Sequence, residues 1–472
     1  MFYCSIVFLV FRRSITQLPS SMNPILITNG TLINSDFTHE ADLLIEDSKI
    51  AEIGKLNTDQ YPSAEIIDAS GKYIFPGGID PHVHLDLPTP AGNSSDDFVS
   101  GSRAAIAGGT TSFIDFVTPR RGQSLIEAFY ERKAQAATSL CDFGLHMGIS
   151  GWNTDTIAQV ESSIENEGIT SFKAYLAYRE TIGIDYSQLE KLMRCIAPHE
   201  KILLVHCEDG EIITQLQQSF LKDGHTHASY HVRSHPPEAE IRAVDKVIEL
   251  AAITNCPVYI VHVSTAGAAE SIRQAKKSGV KIFAETCTQY LLLNDSVYDA
   301  SLPNKKLLPY IISPPIRSRY NQEALWQGLS DGTFDTVATD HCPFNLHGQK
   351  DRGINDFTKI PNGAGGIEHR LVLLYTYGVL TGKITLNQFV SLTSTRPAEI
   401  FGFGNRKGKL QIGFDADIVI WDPDAKGIIS VNNHFQHCDT DIYEGIATQG
   451  KAEVVIVNGS IGFRNGILKM IC

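Results

Sequence analysis

No two of the nine cysteines in this chain are spaced C-x-x-C; they stand scattered at positions 4, 141, 195, 207, 256, 287, 342, 438 and 472. An odd, unpaired set excludes a disulfide framework and a thiolate zinc knuckle, and makes a reducing cytoplasm the expected compartment. Positive charge is scarce as well. Lys and Arg number 40 against 53 Asp and Glu, a formal net charge of -13 with no basic run. Nucleic acid is thereby excluded as a partner, because phosphate binding draws on clustered cations. No membrane partner is expected: the apolar stretch Phe2 to Phe11 is too short to span a bilayer, and Arg12-Arg13 follow it where a secretory signal wants charge in front. Residues 1–22 are read as an extension outside the domains, with Met22 as an alternative start. What is left is 43% hydrophobic and 20% charged over 472 residues, a globular composition with room for one large barrel and a smaller domain.

The ends and the middle are written differently. From Ile25 to Ile74, short β-rich runs (Ile25-Leu26-Ile27, Ala41 to Ile45, Ile50 to Ile53) alternate with Asn-Gly, Asp-Ser and Gly breaks, which predicts a small antiparallel sheet. Similar text returns at Gly413 to Trp421 and Ala452 to Gly459. Sequence-distant strands can pair, so residues 23–76 plus 405–465 are expected to form one composite β-sandwich domain. Between them, apolar runs at Ser112–Phe116, Ser171–Leu176, Ile202–His206, Val258–His262, Lys281–Glu285 and Thr336–Asp340 alternate with helical periodicity, as over Glu240–Thr254 and Ala266–Ser278. That alternation predicts an α/β fold with a (β/α)8 TIM-like barrel over 77–404.

Polar residues fall where barrel chemistry is done. His206, His262 and Asp340 each close an apolar run, Lys173 nearly does, and catalysis in such barrels occupies the C-terminal strand ends. Ahead of them stands Gly77-Gly78-Ile79-Asp80-Pro81-His82-Val83-His84. Residues two apart on a strand face the same side, so His82 and His84 can share one divalent ion. Alone, an H-x-H is more readily a pair of surface or structural histidines; three strand-end histidine sites plus Asp340 in register invert that weighting in favour of ligands. Lys173 needs its own explanation, since a buried ammonium is costly. It either pairs with an acid or, as a neutral amine, captures carbon dioxide and becomes a carbamate able to bridge two cations.

The residues at this point resemble a known family. Gly77–His84, Ser95-Asp96-Asp97-Phe98, Ala107–Thr111, Ser171-Phe172-Lys173, Glu285–Leu291, Ser313-Pro314-Pro315-Ile316-Arg317 and Asp340–Phe344 together look like a dihydropyrimidinase or D-hydantoinase, the cyclic-amidase branch of the amidohydrolase superfamily, over about Ile25 to Asn458. The resemblance implies a zinc ion on His82, His84 and Asp340, a second on His206 and His262, and carbamylated Lys173 bridging the two Zn2+. A hydroxide shared by two ions about 3.5–4 Å apart would be the nucleophile. Asp340 would act as general base and then general acid, and Tyr178 would steady the oxyanion, with Tyr175 as packing. Ser313 and Asn362 would read a small cyclic ureide substrate, though both also stand in turn signals. The products would be N-carbamoyl amino acids and the assembly a homotetramer.

Two passages depart from the family pattern: Leu85 to Ser94 after the histidines, and Arg179 to Asp185 after Tyr178. Loops over a barrel mouth choose the substrate, so the ring substituent stays open. Asp86 is either a partner for an imidazole N–H or a solvated loop charge; as an acid near the site it argues against an anionic ring. Cys207 and Cys342 flank ligands but read as packing, and His146, His231, His235 and His341 carry no assigned role. The alternatives are an allantoinase or dihydroorotase-like enzyme, or a non-catalytic dihydropyrimidinase-related scaffold.

Overall fold

Both ends of the chain contribute strands to a single sheet. A computed structural model describes residues 23–469; the extension expected over 1–22 lies outside them. Strands β1 (Ile25–Ile33), β2 (Thr38–Glu46), β3 (Lys49–Gly54), β4 (Glu65–Asp68) and β5 (Tyr73–Pro76) come first. The antiparallel reading of this region holds for β1, β2 and β3, whereas β4 and β5 run parallel to β1. The middle of the chain supplies β6 (Gly78–Val83), a short hairpin of β7 (Pro88–Thr89) and β8 (Gly92–Asn93), then β9 (Thr110–Val117), β10 (Asp142–Gly148), β11 (Ser171–Tyr175), β12 (Ile202–His206), β13 (Val258–Ile260), β14 (Ile282–Cys287) and β15 (Thr336–Ala338). Last are β16 (Ile418–Ile428), β17 (Ala447–Val457), β18 (Ser460–Arg464) and β19 (Ile467–Leu468). In the terminal sheet the order is β19-β18-β17-β16-β5-β1-β2-β3, with β4 on β1. β16 is the seam, antiparallel to both β5 and β17. Ile27, Leu43, Ile74, Ile418 and Ile456 fill the core of this sheet.

The eight central strands lie in the order β6-β9-β10-β11-β12-β13-β14-β15, all parallel, as the barrel reading expects. Their register explains where the polar residues go. Along β12, Ile202 and Leu204 belong to the inner core with Ile114, Phe116 and Tyr259, while Leu203 and Val205 pack outward with the helices. Period two then sends His206 inward, and by the same count on β11 Phe172 and Ala174 face out and Lys173 faces in. Helices Pro237–Thr254 and Ala266–Lys277 cover the outside; the first has Pro237 in its opening turn, and the second is capped by Thr265, whose side chain accepts from Ala268 N.

Closure between β15 and β6 is made largely by side chains. Val83 bridges His341, and Thr339 donates through its backbone N–H and its hydroxyl to the Asp80 carboxylate, at 3.3 and 2.6 Å. Fully buried Arg370 reaches across the seam, donating to Ile79 O, Val337 O and Thr110 Oγ1 at 2.9, 3.0 and 3.1 Å. Arg370→Leu would strand three buried acceptors at about 1–3 kcal/mol each. We expect a net loss of about 3 kcal/mol or more, read as a drop in melting temperature of several degrees; a change under about 2 °C would remove Arg370 from the closure.

No helix among the described residues is long and apolar enough to cross a membrane.

Candidate active site

His82 is the penultimate residue of β6 and His84 lies one residue past the strand, and both meet Asp340. His82 Nε2 is 3.2 Å from His84 Nε2 and 3.1 Å from Asp340 Oδ1, and His84 Nε2 is 3.3 Å from the same oxygen. A second pair forms from neighbouring strands: His206 Nδ1 lies 2.9 Å from His262 Nε2. The rings of His82 and His262 are 5.5 Å apart, so the two groups adjoin. Lys173, 1% exposed, lines the same cavity, with Nζ 5.0 Å from the Phe116 ring and 5.2 Å from that of Tyr175.

Two of these nitrogens, on His82 and His206, are held with a lone pair turned into the site. His82 Nδ1 stands 2.5 Å from Glu285 Oε1, so that nitrogen carries a proton, and in the neutral ring Nε2 presents a lone pair to His84 and Asp340. In the same way His206 Nε2 donates to Glu208 Oε2 at 3.0 Å, which leaves Nδ1 bare toward His262. Lone pairs at such distances repel unless a proton or cation sits between them, and a carboxylate behind the imidazole, as at His82 and His206, is the usual support of a metal ligand. The donor set, four imidazoles and a carboxylate, fits a borderline divalent cation.

Glu285 and Glu208 were not singled out in the sequence, although Glu285 closes an apolar run and Glu208 lies two residues past His206. Glu285 also accepts from His262 N (3.1 Å) and Tyr259 Oη (2.6 Å), so one carboxylate orients ligands of both groups. His235 donates to Glu208 from the other side at 3.0 Å, which gives that histidine a role. His146, by contrast, bonds Ser171 and Pro81 O, His231 bonds Ile312 O, and His341 pairs with Asp96.

Two strand ends differ from expectation. β13 stops at Ile260 and β15 at Ala338, so His262 and Asp340 lie two residues beyond the ladder, where the chain turns left-handed at φ 40° and 54°. The turn carries both side chains over the barrel mouth instead of continuing along its wall.

A cavity of about 650 Å³ collects His82, His84, Lys173, His206, His262 and Asp340 with Tyr178, Ser313 and Asn362. Tyr178, itself left-handed at φ 56°, interacts through its hydroxyl with the Ser313 and Asn362 side chains. Asn362 Nδ2 in turn donates to Ser313 Oγ at 3.0 Å. Burial pushes the Lys173 amine down to about 8, against the opposing pull of Asp340 and Glu285. Burial also takes His84 down to about 4. For Asp340 burial acts upward, but the attraction of a protonated His82 and the close contacts of Oδ1 with His82 and His84 outweigh it and hold the carboxyl well below its usual range. Cys342 lines the cavity, yet burial drives its thiol far up, as it does for Cys207, so neither supplies a thiolate.

Asp86 proves to be a loop fastener: it accepts from Asn93 Nδ2 at 2.7 Å within the turn around β7 and β8. The cavity wall carries Arg352 and Lys359 instead, which removes the footing of the Asp86 argument against anionic rings.

The sequence profile of the Amidohydrolase family matches residues 73–462. A D-hydantoinase of Geobacillus stearothermophilus is 41% identical over 442 residues, 93% of this chain and 93% of the relative. Dihydropyrimidinase 1 of Caenorhabditis elegans is 38% identical over 456 residues, 95% of this chain and 92% of the relative. Among solved structures, the dihydropyrimidinase from Brevibacillus agri NCHU1002 is similar with a TM-score of 0.91 at 40% identity, over 94% of this chain and 96% of that one. With a matching barrel, a matching profile and relatives alike along nearly their whole length, the chain belongs to the amidohydrolase family, in the branch of enzymes that includes the D-hydantoinases and dihydropyrimidinases.

Proposed function

We propose that this enzyme opens dihydropyrimidine or hydantoin rings, adding water across the cyclic amide to give N-carbamoyl amino acids. The observation that carries the reading is the convergence of two histidine pairs, Asp340 and an aromatic-walled Lys173 on the cavity that also holds Tyr178, Ser313 and Asn362. His82, His84 and Asp340 would hold one zinc ion and His206 and His262 the other, with Lys173 between them. An uncharged Nζ would add carbon dioxide and release a proton, and the resulting carbamate would supply further oxygen ligands to the metal pair. When bound, such a pair supplies an acidified water and polarises the amide carbonyl.

The protein's own groups do the rest. Asp340, kept ionised by its two histidine neighbours, takes the proton from the attacking water and returns it to the ring nitrogen as the C–N bond breaks. The Tyr178 hydroxyl donates to the carbonyl oxygen as charge develops there, a contact worth about 2.7–4 kcal/mol in comparable sites. Ser313 and Asn362 orient the -NH-CO-NH-CO- edge common to both ring types. Leu87, Pro88, Pro90, Ile182 and Ile360 line the apolar remainder of the cavity, where a ring substituent would lie and water is displaced. Residence in the cytoplasm and assembly as a homotetramer belong to the same proposal.

The test is a comparison of kcat/KM for dihydrouracil, 5-substituted hydantoins, allantoin and dihydroorotate with zinc-replete protein. Dihydrouracil or a hydantoin is expected to lead by about tenfold or more. A lead for allantoin or dihydroorotate would transfer the enzyme to a neighbouring activity, and no ring opening at full metal occupancy would favour the scaffold.

A further inference from the structure

A second cluster of metal-ligating side chains lies outside the catalytic cavity, and the sequence pattern did not single it out. His369, just ahead of the helix Arg370–Leu374, meets the segment 434–441, which follows β16. His369 Nε2 is 2.8 Å from Asp441 Oδ2, and His434 Nδ1 is 3.4 Å from the same oxygen. His369 and Asp441 are buried, as is the His434 side chain. None of the three lines the catalytic cavity.

Two of the three donors are presented as ligands would be. His434 Nε2 donates to Cys438 O at 3.1 Å, so in the neutral ring Nδ1 is a bare lone pair aimed at the carboxylate. Tyr443 N donates to Asp441 Oδ1 at 2.8 Å, which leaves Oδ2 for the cluster.

Gln436 completes the set. Its amide, 94% buried by a relative exposure of 6%, stands with Nε2 3.1 Å from His369 Nε2, 3.5 Å from His434 Nδ1 and 3.4 Å from Asp441 Oδ2. Its Oε1 is buried with no hydrogen-bond partner and is pressed toward Gly365, where a Cβ would stand 2.1 Å away. A half-turn of the amide exchanges oxygen and nitrogen and places the oxygen as a fourth ligand atom beside His369 Nε2, His434 Nδ1 and Asp441 Oδ2. Four ligand atoms at the corners of a tetrahedron with bonds of about 2.0–2.1 Å are separated by roughly 3.3–3.4 Å. Five of the six separations, 2.8 to 3.5 Å, bracket that value, and the remaining one, His369 to His434, is within 4.8 Å.

We propose that His369, His434, Asp441 and Gln436 form a closed site for a zinc-like divalent cation, which pins the 434–441 segment to the barrel. Four protein ligands leave no position for substrate, so the ion is structural. It would lock a segment that already ties two parts of the mouth: Phe435 N donates to Glu368 Oε2 at 2.7 Å, and His437 N donates to Asp96 Oδ1 at 2.8 Å.

The test counts zinc in the full chain after saturation and gel filtration, comparing wild type with His434→Ala and Asp441→Asn. Each variant is expected to hold one equivalent per chain fewer than wild type, with ring-opening rates within about twofold of it. His82→Ala, read in parallel, reports the catalytic ions separately. Zinc-edge anomalous diffraction from wild-type crystals is expected to place a peak among the four donor atoms, whatever the variants' stability. Equal zinc in wild type and both variants, or no peak there at saturating zinc, would overturn the site and leave a cluster joined by protons alone.

Discussion

Lys173→Ala is expected to lose both metal and turnover, with kcat/KM down by roughly 10³-fold or more, about 4 kcal/mol of transition-state stabilisation. The side chain faces inward from β11, walled by Phe116 and Tyr175, and no other residue of that strand could replace its Nζ between the two histidine groups. Alanine would leave a narrow slot where the lysine stem ran. A short carboxylate such as acetate or propionate can enter that slot and offer two oxygens in place of the carbamate. Partial rescue by such acids, together with recovery of bound metal, would distinguish loss of a bridge from general disruption. Lys173→Met fills the volume without an amine and is expected to behave like alanine but without rescue. Full turnover by Lys173→Ala in the absence of added carboxylate would end the carbamate reading.

Asp340→Asn is the second large effect. The amide keeps the size of the carboxylate and one oxygen near His82 and His84, but it cannot accept a proton at neutral pH. General acid–base action of this kind contributes about 10²–10⁴-fold. The loss is expected in kcat, with KM for the ring nearly unchanged, because Tyr178, Ser313 and Asn362 still orient the substrate. Metal content must be measured beside the rates, since Asp340 is also placed as a ligand. If kcat falls less than about tenfold at full metal occupancy, another group moves the proton.

How far the sequence could be read depended on whether a residue's role was local. Lys173 and His206 were legible because alternation along β11 and β12 decides which face a side chain takes. β10 was missed: Asp142, Gly144, His146 and Gly148 interrupt it, and they are buried because partners far away in sequence satisfy them. Asp142 pairs with Lys407 and Arg406, for example, at 3.1 and 2.9 Å. The positions of His262 and Asp340 past the strand ends depend on left-handed turns, which His and Asp tolerate better than most residues but whose place residue type alone does not announce. Glu285, Glu208 and His235 escaped for the same reason as the His369 cluster. Each matters through a contact that only the closed fold creates.

The placement of β16 has a consequence for biosynthesis. β5 emerges early from the ribosome, yet its register partners Val419 and Ile420 are made only after the whole barrel. Until then one side of β5 is an open hydrogen-bonding edge, the kind that recruits another chain. The nascent protein must therefore shelter that edge while the barrel is being translated. Substitutions that slow arrival of Ile418–Ile428 should show first as lower yield and aggregation during expression, before they alter the finished enzyme.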